Sequence, residues 1–132
     1  VVDEGYKLII SKGAKIHFHG GSTLYISKDA TLEIKGTMSE PVIMQGDRLD
    51  PSYEEIPGQW NGIYLSALST KNKITFAVIK NGTIGIQADT VNGSNLTLEL
   101  RNSWIRNMSK IGLFGRGTSI KAYNTVISNC GS

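Results

Sequence analysis

An acidic insertion, residues 45–60, holds the residue types best suited to bind a metal or a sugar. It contains Tyr53 and five charged residues with a net charge of −3: Asp47, Arg48, Asp50, Glu54 and Glu55. Clustered carboxylates are the ligands that Ca²⁺ prefers, but a solvated loop that covers the side of a domain has the same composition. Because all the acids lie in one segment, we predict a candidate ligand-binding loop without a metal site or cofactor.

A second set of candidate residues shares one face of three similar segments. These segments are Val78-Ile79-Lys80, Trp104-Ile105-Arg106 and Val126-Ile127-Ser128. If each central Ile is buried, its neighbours point outward on a strand. Trp104 beside Lys80 and Arg106 would then suit sugar stacking, a protein partner or a bound anion. The alternative is that the acidic insertion or another segment covers Trp104.

The remaining reactive side chains have simpler interpretations. His17 and His19 share one strand face on either side of Phe18, but no third metal ligand accompanies them, so we predict surface histidines. Cys130 is the single cysteine and lacks a His or Asp partner in the sequence, which predicts a small buried hydrophobe. Trp60 precedes Asn61 and Gly62 and is predicted to be a core or corner residue. We assign no catalytic residue.

Charge and hydropathy exclude two classes of protein. Residues 61–132 carry eight Lys or Arg against two acids, yet these cations are scattered singly, without the basic runs and aromatic motifs of nucleic-acid readers. The apolar runs are far shorter than the roughly 20 residues that cross a bilayer. We therefore expect neither a nucleic-acid partner nor a membrane span.

Short repeated units position these candidate residues. Between Lys7 and Met38 the sequence reads KLIISKGA, KIHFHGGS, TLYISKDA and TLEIKGTM. Each unit contains two apolar residues in alternation, which predicts a strand with one buried face. A small or turn-forming residue follows each pair: Gly13, Gly21, Asp29 and Thr37. Residues 41–44 read as a fifth strand before the acidic insertion.

A longer period of about 22 to 27 residues follows the insertion. Three columns repeat: residues 61–63, 84–86 and 111–113; residues 78–81, 104–107 and 126–129; and the pairs Ile74/Phe76, Leu98/Leu100 and Ile120/Ala122. Three strand columns per period are what a triangular coil requires. Three eight-residue units make a coil of the same length, so both halves of the chain predict one architecture.

Aligned asparagines distinguish parallel from antiparallel stacking. Asn81, Asn107 and Asn129 hold equivalent places, as do Asn102 and Asn124. Asn tolerates left-handed backbone at corners, and stacked amides can hydrogen-bond along a column. An antiparallel barrel or sandwich would not predict these columns. We predict an all-β fold, a right-handed parallel β-helix solenoid of about five coils with three strands per coil.

We expect a single β-helix domain over residues 1–132. Its parts are the strand units of residues 1–44, the acidic insertion of residues 45–60 and the regular coils of residues 61–132. Because no polar cap is visible after the last repeat, we expect a fragment of a longer solenoid. Its open end predicts end-to-end self-association.

The runs PGQWNGIYL (residues 57–65) and ITFAVIKNGTIGIQ (residues 74–87), with the later coils, resemble the pectin-lyase-like parallel β-helix proteins. They are similar in particular to surface lipoproteins of Bacteroides-type bacteria. The resemblance implies export, with an extracellular or outer-membrane location. Lyases of this fold use converging acids with Ca²⁺ and a basic catalytic residue, a pattern that a single acidic loop does not match.

Three functions remain open at this point. The leading hypothesis is a non-catalytic surface or secreted module for binding or display, with a polysaccharide or a surface protein as partner. The candidate ligand-binding residues come from both sets: Trp104, Arg106, Lys80, Asp47, Arg48, Asp50, Tyr53 and Glu54. The alternatives are a polysaccharide lyase or hydrolase completed by further coils, and a structural spacer.

Overall fold

Fourteen short strands build a parallel solenoid in the computed structural model, which describes residues 1–90 and 95–131. In chain order they are β1 (Lys7–Ser11), β2 (Lys15–Phe18), β3 (Thr23–Ile26), β4 (Thr31–Lys35), β5 (Val42–Gly46), β6 (Gly62–Leu65), β7 (Asn72–Thr75), β8 (Ala77–Lys80), β9 (Ile84–Ala88), β10 (Leu98–Arg101), β11 (Trp104–Met108), β12 (Ile111–Gly115), β13 (Ile120–Tyr123) and β14 (Val126–Cys130). A single 3-10 turn, Pro51–Tyr53, is the one helical segment of these described residues.

Each strand pairs in parallel with the strand that lies three places later in the chain, so the strands form three sheets. The first sheet has the order β1-β4-β7-β10-β13, the second β2-β5-β8-β11-β14 and the third β3-β6-β9-β12. Lys7 pairs with Thr31, the first residue of the fourth repeated unit, so three units complete the first coil. The prediction of an all-β solenoid with three strands per coil and about five coils is confirmed.

Alternating apolar residues form the core because every coil turns the same strand face inward. Leu32 and Ile34 of β4, Ile74 of β7 and Leu98 and Leu100 of β10 are fully buried. In the first coil only Ile10 and Ile26 of the predicted inward residues are buried, while Leu8, Ile16, Phe18 and Leu24 pack against the same core and stay partly exposed.

Left-handed backbone turns most of the predicted corners. Gly13 and Gly21 have φ of 76° and 79°, and Asp29 has φ of 56°. Thr37, predicted to be the fourth such corner, is not among the described residues with positive φ. There the chain turns beside Gly36, where a Cβ would collide with the Phe76 carbonyl oxygen. That close approach requires a residue without a side chain.

Asparagine corners stack as predicted. Asn81, Asn107 and Asn129 have φ between 50° and 65°. The Asn107 amide donates to Oδ1 of Asn81, and the Asn129 amide donates to Oδ1 of Asn107, both at 3.4 Å. Asn124 donates to Asn102 at 2.7 Å. These ladders tie successive corners together along the solenoid axis.

Two of the three predicted columns have the correct register. In the third, Leu98 and Leu100 pair with Ile120 and Ala122 as predicted, and only the first pair is wrong, by two positions. Ile79 pairs with Ile105 and Ile63 pairs with Ile86, as aligned. Leu100, however, pairs with Ile74, not with Phe76. Phe76 instead turns a corner with φ of 47°. A shift of two positions keeps the same side chains inward, so alternation alone could not detect it.

Trp60 is a core residue, as predicted. Its ring is fully buried and stacks on Phe18, with centroids 4.1 Å apart, and its Nε1 donates to the Lys80 carbonyl oxygen at 2.9 Å. Cys130 differs from its prediction, since it is half-buried. Over residues 1–90 and 95–131, no helix combines the length and the apolar character needed to cross a membrane.

Candidate functional site

A groove of about 480 Å³ separates the acidic insertion from the outer face of the second sheet. It is lined by six of the eight predicted ligand-binding residues: Arg48, Asp50, Glu54, Lys80, Trp104 and Arg106. The other two, Asp47 and Tyr53, do not line it. The fold therefore unites residues from the insertion, β8 and β11.

Local hydrogen bonds give the acidic insertion its shape. Asp50 caps the 3-10 turn, with Oδ1 accepting from the Ser52 backbone NH at 2.9 Å and from its hydroxyl at 2.7 Å. Gln59 closes the segment by donating Nε2 to the carbonyl oxygens of Tyr53 and Ile56 at 2.7 and 2.8 Å. The guanidinium of Arg48 lies 4.9 Å from the centroid of the Tyr53 ring. Tyr53 thus has a structural role within the insertion.

The bonds to Ser52 also set the ionisation of Asp50. They stabilise the carboxylate and hold the pKa of Asp50 below its ordinary value, with the side-chain hydrogen bond as the largest cause. A carboxyl group in this state is an acceptor at neutral pH and a poor proton donor.

Two side chains of the coil anchor the insertion through one carbonyl group. The Glu54 carbonyl oxygen accepts from Nδ2 of Asn81 at 2.8 Å and from Nζ of Lys80 at 3.3 Å. Asn81 is one of the stacked corner residues, so the same ladder that ties the coils together also positions the insertion.

Glu55 provides the charge that the second sheet lacks. Its Oε1 lies 3.7 Å from Nζ of Lys80 and 3.6 Å from a terminal guanidinium nitrogen of Arg106, and the Asn107 amide donates to its Oε2. A bound anion was one of the alternatives predicted for these two cations, and the anion beside them is a carboxylate of the same chain. Glu55 was not among the predicted site residues, although the acidic insertion opposite a basic half was a usable signal.

Lys80 is covered and Trp104 is not. The Lys80 side chain is 9% exposed, so the prediction of an exposed lysine is wrong: the insertion folds over it. Trp104 is 54% exposed and pairs in register with Val78 and Val126, which confirms the predicted outward stripe. Among the described residues, no acceptor lies within hydrogen-bond reach of the buried Nε of Arg106.

Trp104 stands between two grooves. The polar groove lies on the side of the insertion. A second groove, of about 380 Å³, has a more apolar lining that includes Met38, Pro41, Phe76 and Val126. Trp104 therefore lines two surface depressions, either of which can admit a ligand.

The histidines lie on the surface, as predicted. His17 accompanies Gln45, with Nε2 atoms 3.3 Å apart, and Nδ1 of His19 is 2.9 Å from Oδ2 of Asp47. Within residues 1–90 and 95–131, no three His, Cys, Asp or Glu residues are arranged to hold a metal ion. The acids of the insertion instead point to separate partners: Asp47 to His19, Asp50 to Ser52 and Glu55 to the cations.

The first sheet carries a different charge pattern on its outer face. Glu33, Lys73, Glu99 and Lys121 occupy successive coils in register. Lys73 lies 3.6 Å from Glu99, and Lys7 lies 2.5 Å from Glu33. The hydrogen bond from Lys7 is the largest cause that lowers the pKa of Glu33 below its ordinary value of 4.5. These charges compensate one another within the sheet.

Comparison with known proteins agrees with this architecture. No curated protein and no solved structure matches the chain. The family model for the pectate-lyase-like β-helix domain matches residues 1–97, a range that includes the acidic insertion but ends before Trp104 and Arg106. Sequence resemblance, parallel topology and family match agree, and the chain belongs to the pectate-lyase-like β-helix family.

Proposed function

We propose that this protein is a non-catalytic carbohydrate-binding module whose ligand occupies the groove beside Trp104. The observation that carries the proposal is a half-exposed indole at the edge of a polar groove that two distant segments build together. Indole offers a flat apolar face to a sugar ring, while Gln45, Asp50 and Arg106 offer hydrogen bonds to its hydroxyl groups. Membership of a carbohydrate-related family supports this ligand class.

The contacts around the groove favour binding over catalysis. Asp50 is committed to capping and its pKa is lowered, so it is poorly suited to protonate a leaving group. Lys80 and Arg106, the cations that would stabilise negative charge on a substrate, already face Glu55. A polysaccharide lyase or hydrolase remains the alternative function, and a structural spacer is the third.

The proposal includes an extracellular or cell-surface location, as in the surface lipoproteins that the repeats resemble. The polysaccharides of cell walls and capsules lie outside the cell, so a module that binds them acts there. Fractionation of the producing cells, with antibody detection of the protein, tests this part. Recovery in the cytoplasm alone would contradict it.

A glycan array separates the three functions. We expect the wild-type protein to bind at least one polysaccharide and Trp104→Ala to bind it about five-fold more weakly, because aromatic stacking contributes about 1 kcal/mol. Trp104→Tyr is the matched control, since it keeps a ring at the position, and it should retain most of the affinity. Binding by neither protein would favour the spacer, and release of reducing or unsaturated ends from the ligand would favour the enzyme.

A further inference from the structure

The outer face of the third sheet carries a third groove, with aromatic walls, whose lining includes no residue of the acidic insertion. Tyr25 of β3 and Tyr64 of β6 pair in register, and their ring centroids lie 5.1 Å apart with the planes tilted by 35°. The groove beside them measures about 370 Å³, a size within the range of small-molecule sites. The two rings on adjacent coils pack against each other at a tilt and together form an aromatic wall of the groove, the tyrosine platform.

A buried carboxylate, paired with an exposed arginine, holds one ring of this platform in place. The Tyr64 hydroxyl donates to Oδ2 of Asp89, and Oδ1 of the same buried carboxylate accepts from Arg116 at 3.1 Å. The hydrogen bond to Asp89 is the largest cause that raises the pKa of Tyr64 to about 12. The ring is thus neutral and oriented before any ligand arrives, which lowers the entropy lost on binding.

The platform continues along the solenoid axis. Gln87 of β9 pairs with Tyr64, and Phe114 of β12 pairs with Gln87. Tyr25 and Phe114 are 38% and 37% exposed. Side chains that repeat at the strand spacing of about 4.8 Å suit an extended ligand whose units contact successive coils.

The lining of the groove identifies the class of ligand. Besides the two tyrosines it contains uncharged hydrogen-bonding residues, among them Thr23, Asn61, Thr83 and Gln87. No Lys or Arg belongs to the lining that the described residues form, so phosphates or uronates would find no counter-charge there. The charge of Asp89, beside the Tyr64 hydroxyl, is paired with that of Arg116. Aromatic faces surrounded by neutral donors and acceptors match an uncharged sugar.

We propose that this groove is an independent binding site for a neutral oligosaccharide, which stacks on Tyr25 and Tyr64 and forms hydrogen bonds with Thr23 and Gln87. The site lies on a different sheet from Trp104 and does not depend on the function proposed for that residue. The module would then hold ligand on two of its three outer faces.

Titration calorimetry with neutral β-linked gluco-, xylo- and manno-oligosaccharides tests the site. We expect one of them to bind the wild-type protein and to bind Tyr25→Ala about ten-fold more weakly, while Tyr25→Phe keeps its affinity because the ring remains. Tyr6→Ala is the matched control: Tyr6 is also exposed, at 70%, but does not line this groove. An unchanged urea midpoint of Tyr25→Ala verifies that the variant folds.

The outcomes also separate this site from the groove beside Trp104. Trp104→Ala should leave neutral oligosaccharide binding unchanged. The proposal is overturned if none of the oligosaccharides binds at millimolar concentration, if Tyr25→Ala binds like the wild-type protein, or if Trp104→Ala abolishes the same binding. Binding of single-stranded DNA through the tyrosines, without any sugar binding, would also overturn it.

Discussion

The outer faces of the first and second sheets both place charged side chains on neighbouring coils, but these charges are neutralised in different ways. On the first sheet the sign alternates from Glu33 to Lys73 to Glu99. On the second sheet Lys80 pairs directly with Arg106. The first face neutralises itself, whereas the second needs an anion from elsewhere and receives it from Glu55.

This difference shows how the charges on adjacent coils of a parallel solenoid can determine where a binding groove forms. Parallel stacking sets equivalent residues about 4.8 Å apart, where like charges repel and opposite charges attract. When the sign of the charge alternates from coil to coil, the side chains of the sheet neutralise one another. Two adjacent cations instead favour a covering segment that supplies an anion, and that segment forms a wall of the groove.

The largest expected effect follows removal of the anion on the second sheet. Glu55→Gln leaves Lys80 and Arg106 side by side, and we expect it to lower the free energy of unfolding by about 1 to 2 kcal/mol. Breaking a buried ion pair costs about 3 to 5 kcal/mol, and solvent screening reduces this value here because the Glu55 side chain is 57% exposed. Urea unfolding measures the change.

Two variants test this explanation. Glu4→Gln removes an exposed pair in which Glu4 lies 4.0 Å from Lys28 and should cost no more than about 0.5 kcal/mol. Adding Lys80→Met to Glu55→Gln should recover part of the lost stability, because a buried charge is replaced by an apolar side chain. Equal losses for Glu55→Gln and Glu4→Gln would contradict the role of Glu55.

A single charge reversal should make the first sheet resemble the second. Lys73→Glu places three acids on successive coils, and we expect a loss of up to about 1 kcal/mol because like charges lie directly opposite. Salt should reduce this loss, since exposed charges are screened. Lys73→Gln is the control without repulsion. Equal stabilities of the two variants at low salt would show that alternation is unimportant.

The alternating charges also predict how stability depends on acid. The pKa of Glu33 is lowered, mainly by Lys7, and that of Glu99 is lowered, mainly by Arg101. Each lowered pKa contributes stability that is present above the ordinary value of 4.5 and is lost as pH falls through the folded-state pKa. We expect the double variant Glu33→Gln, Glu99→Gln to lose less stability than wild type between about pH 5 and pH 3 in urea titrations. Parallel pH profiles would refute this linkage.

The smallest expected effect concerns Trp104 itself. Because its indole is half exposed, Trp104→Ala should change the free energy of unfolding by no more than about 0.5 kcal/mol. Urea unfolding provides the measurement. A loss above about 1 kcal/mol would mean that Trp104 mainly stabilises the fold by packing. The proposal that the groove beside it binds a ligand would then lose its main support.

Sequence patterns were sufficient to predict the architecture. Alternation identified the strands, and the asparagine columns identified parallel stacking, because Asn81 and Asn107 occupy left-handed corners that few other residues tolerate. The register predicted at Phe76 was wrong because successive coils differ in length. The coil from Lys73 to Glu99 is longer than the coil from Glu99 to Lys121.

The candidate site was predicted less completely. The outward stripe at Trp104 followed from strand alternation alone. The burial of Lys80 did not, because it depends on a contact with Glu55, which lies a full coil earlier in the chain. The tyrosine platform was also missed, since Tyr25 and Tyr64 become neighbours only when the whole segment between them is assigned to one coil and its insertion.

The path from Glu33 to Lys73 includes the acidic insertion and is the longest of the coils, yet its two ends pair in register like those of the shorter coils. This corner accommodates the extra residues without disturbing the sheets, so it is a position at which other segments can be inserted. Replacement of residues 47–59 by another segment that again places a carboxylate beside Lys80 and Arg106 should leave the stack of coils intact and alter what the groove recognises. Ligand preference in such a scaffold can therefore change by exchange of one segment, while the folding information remains in the repeats.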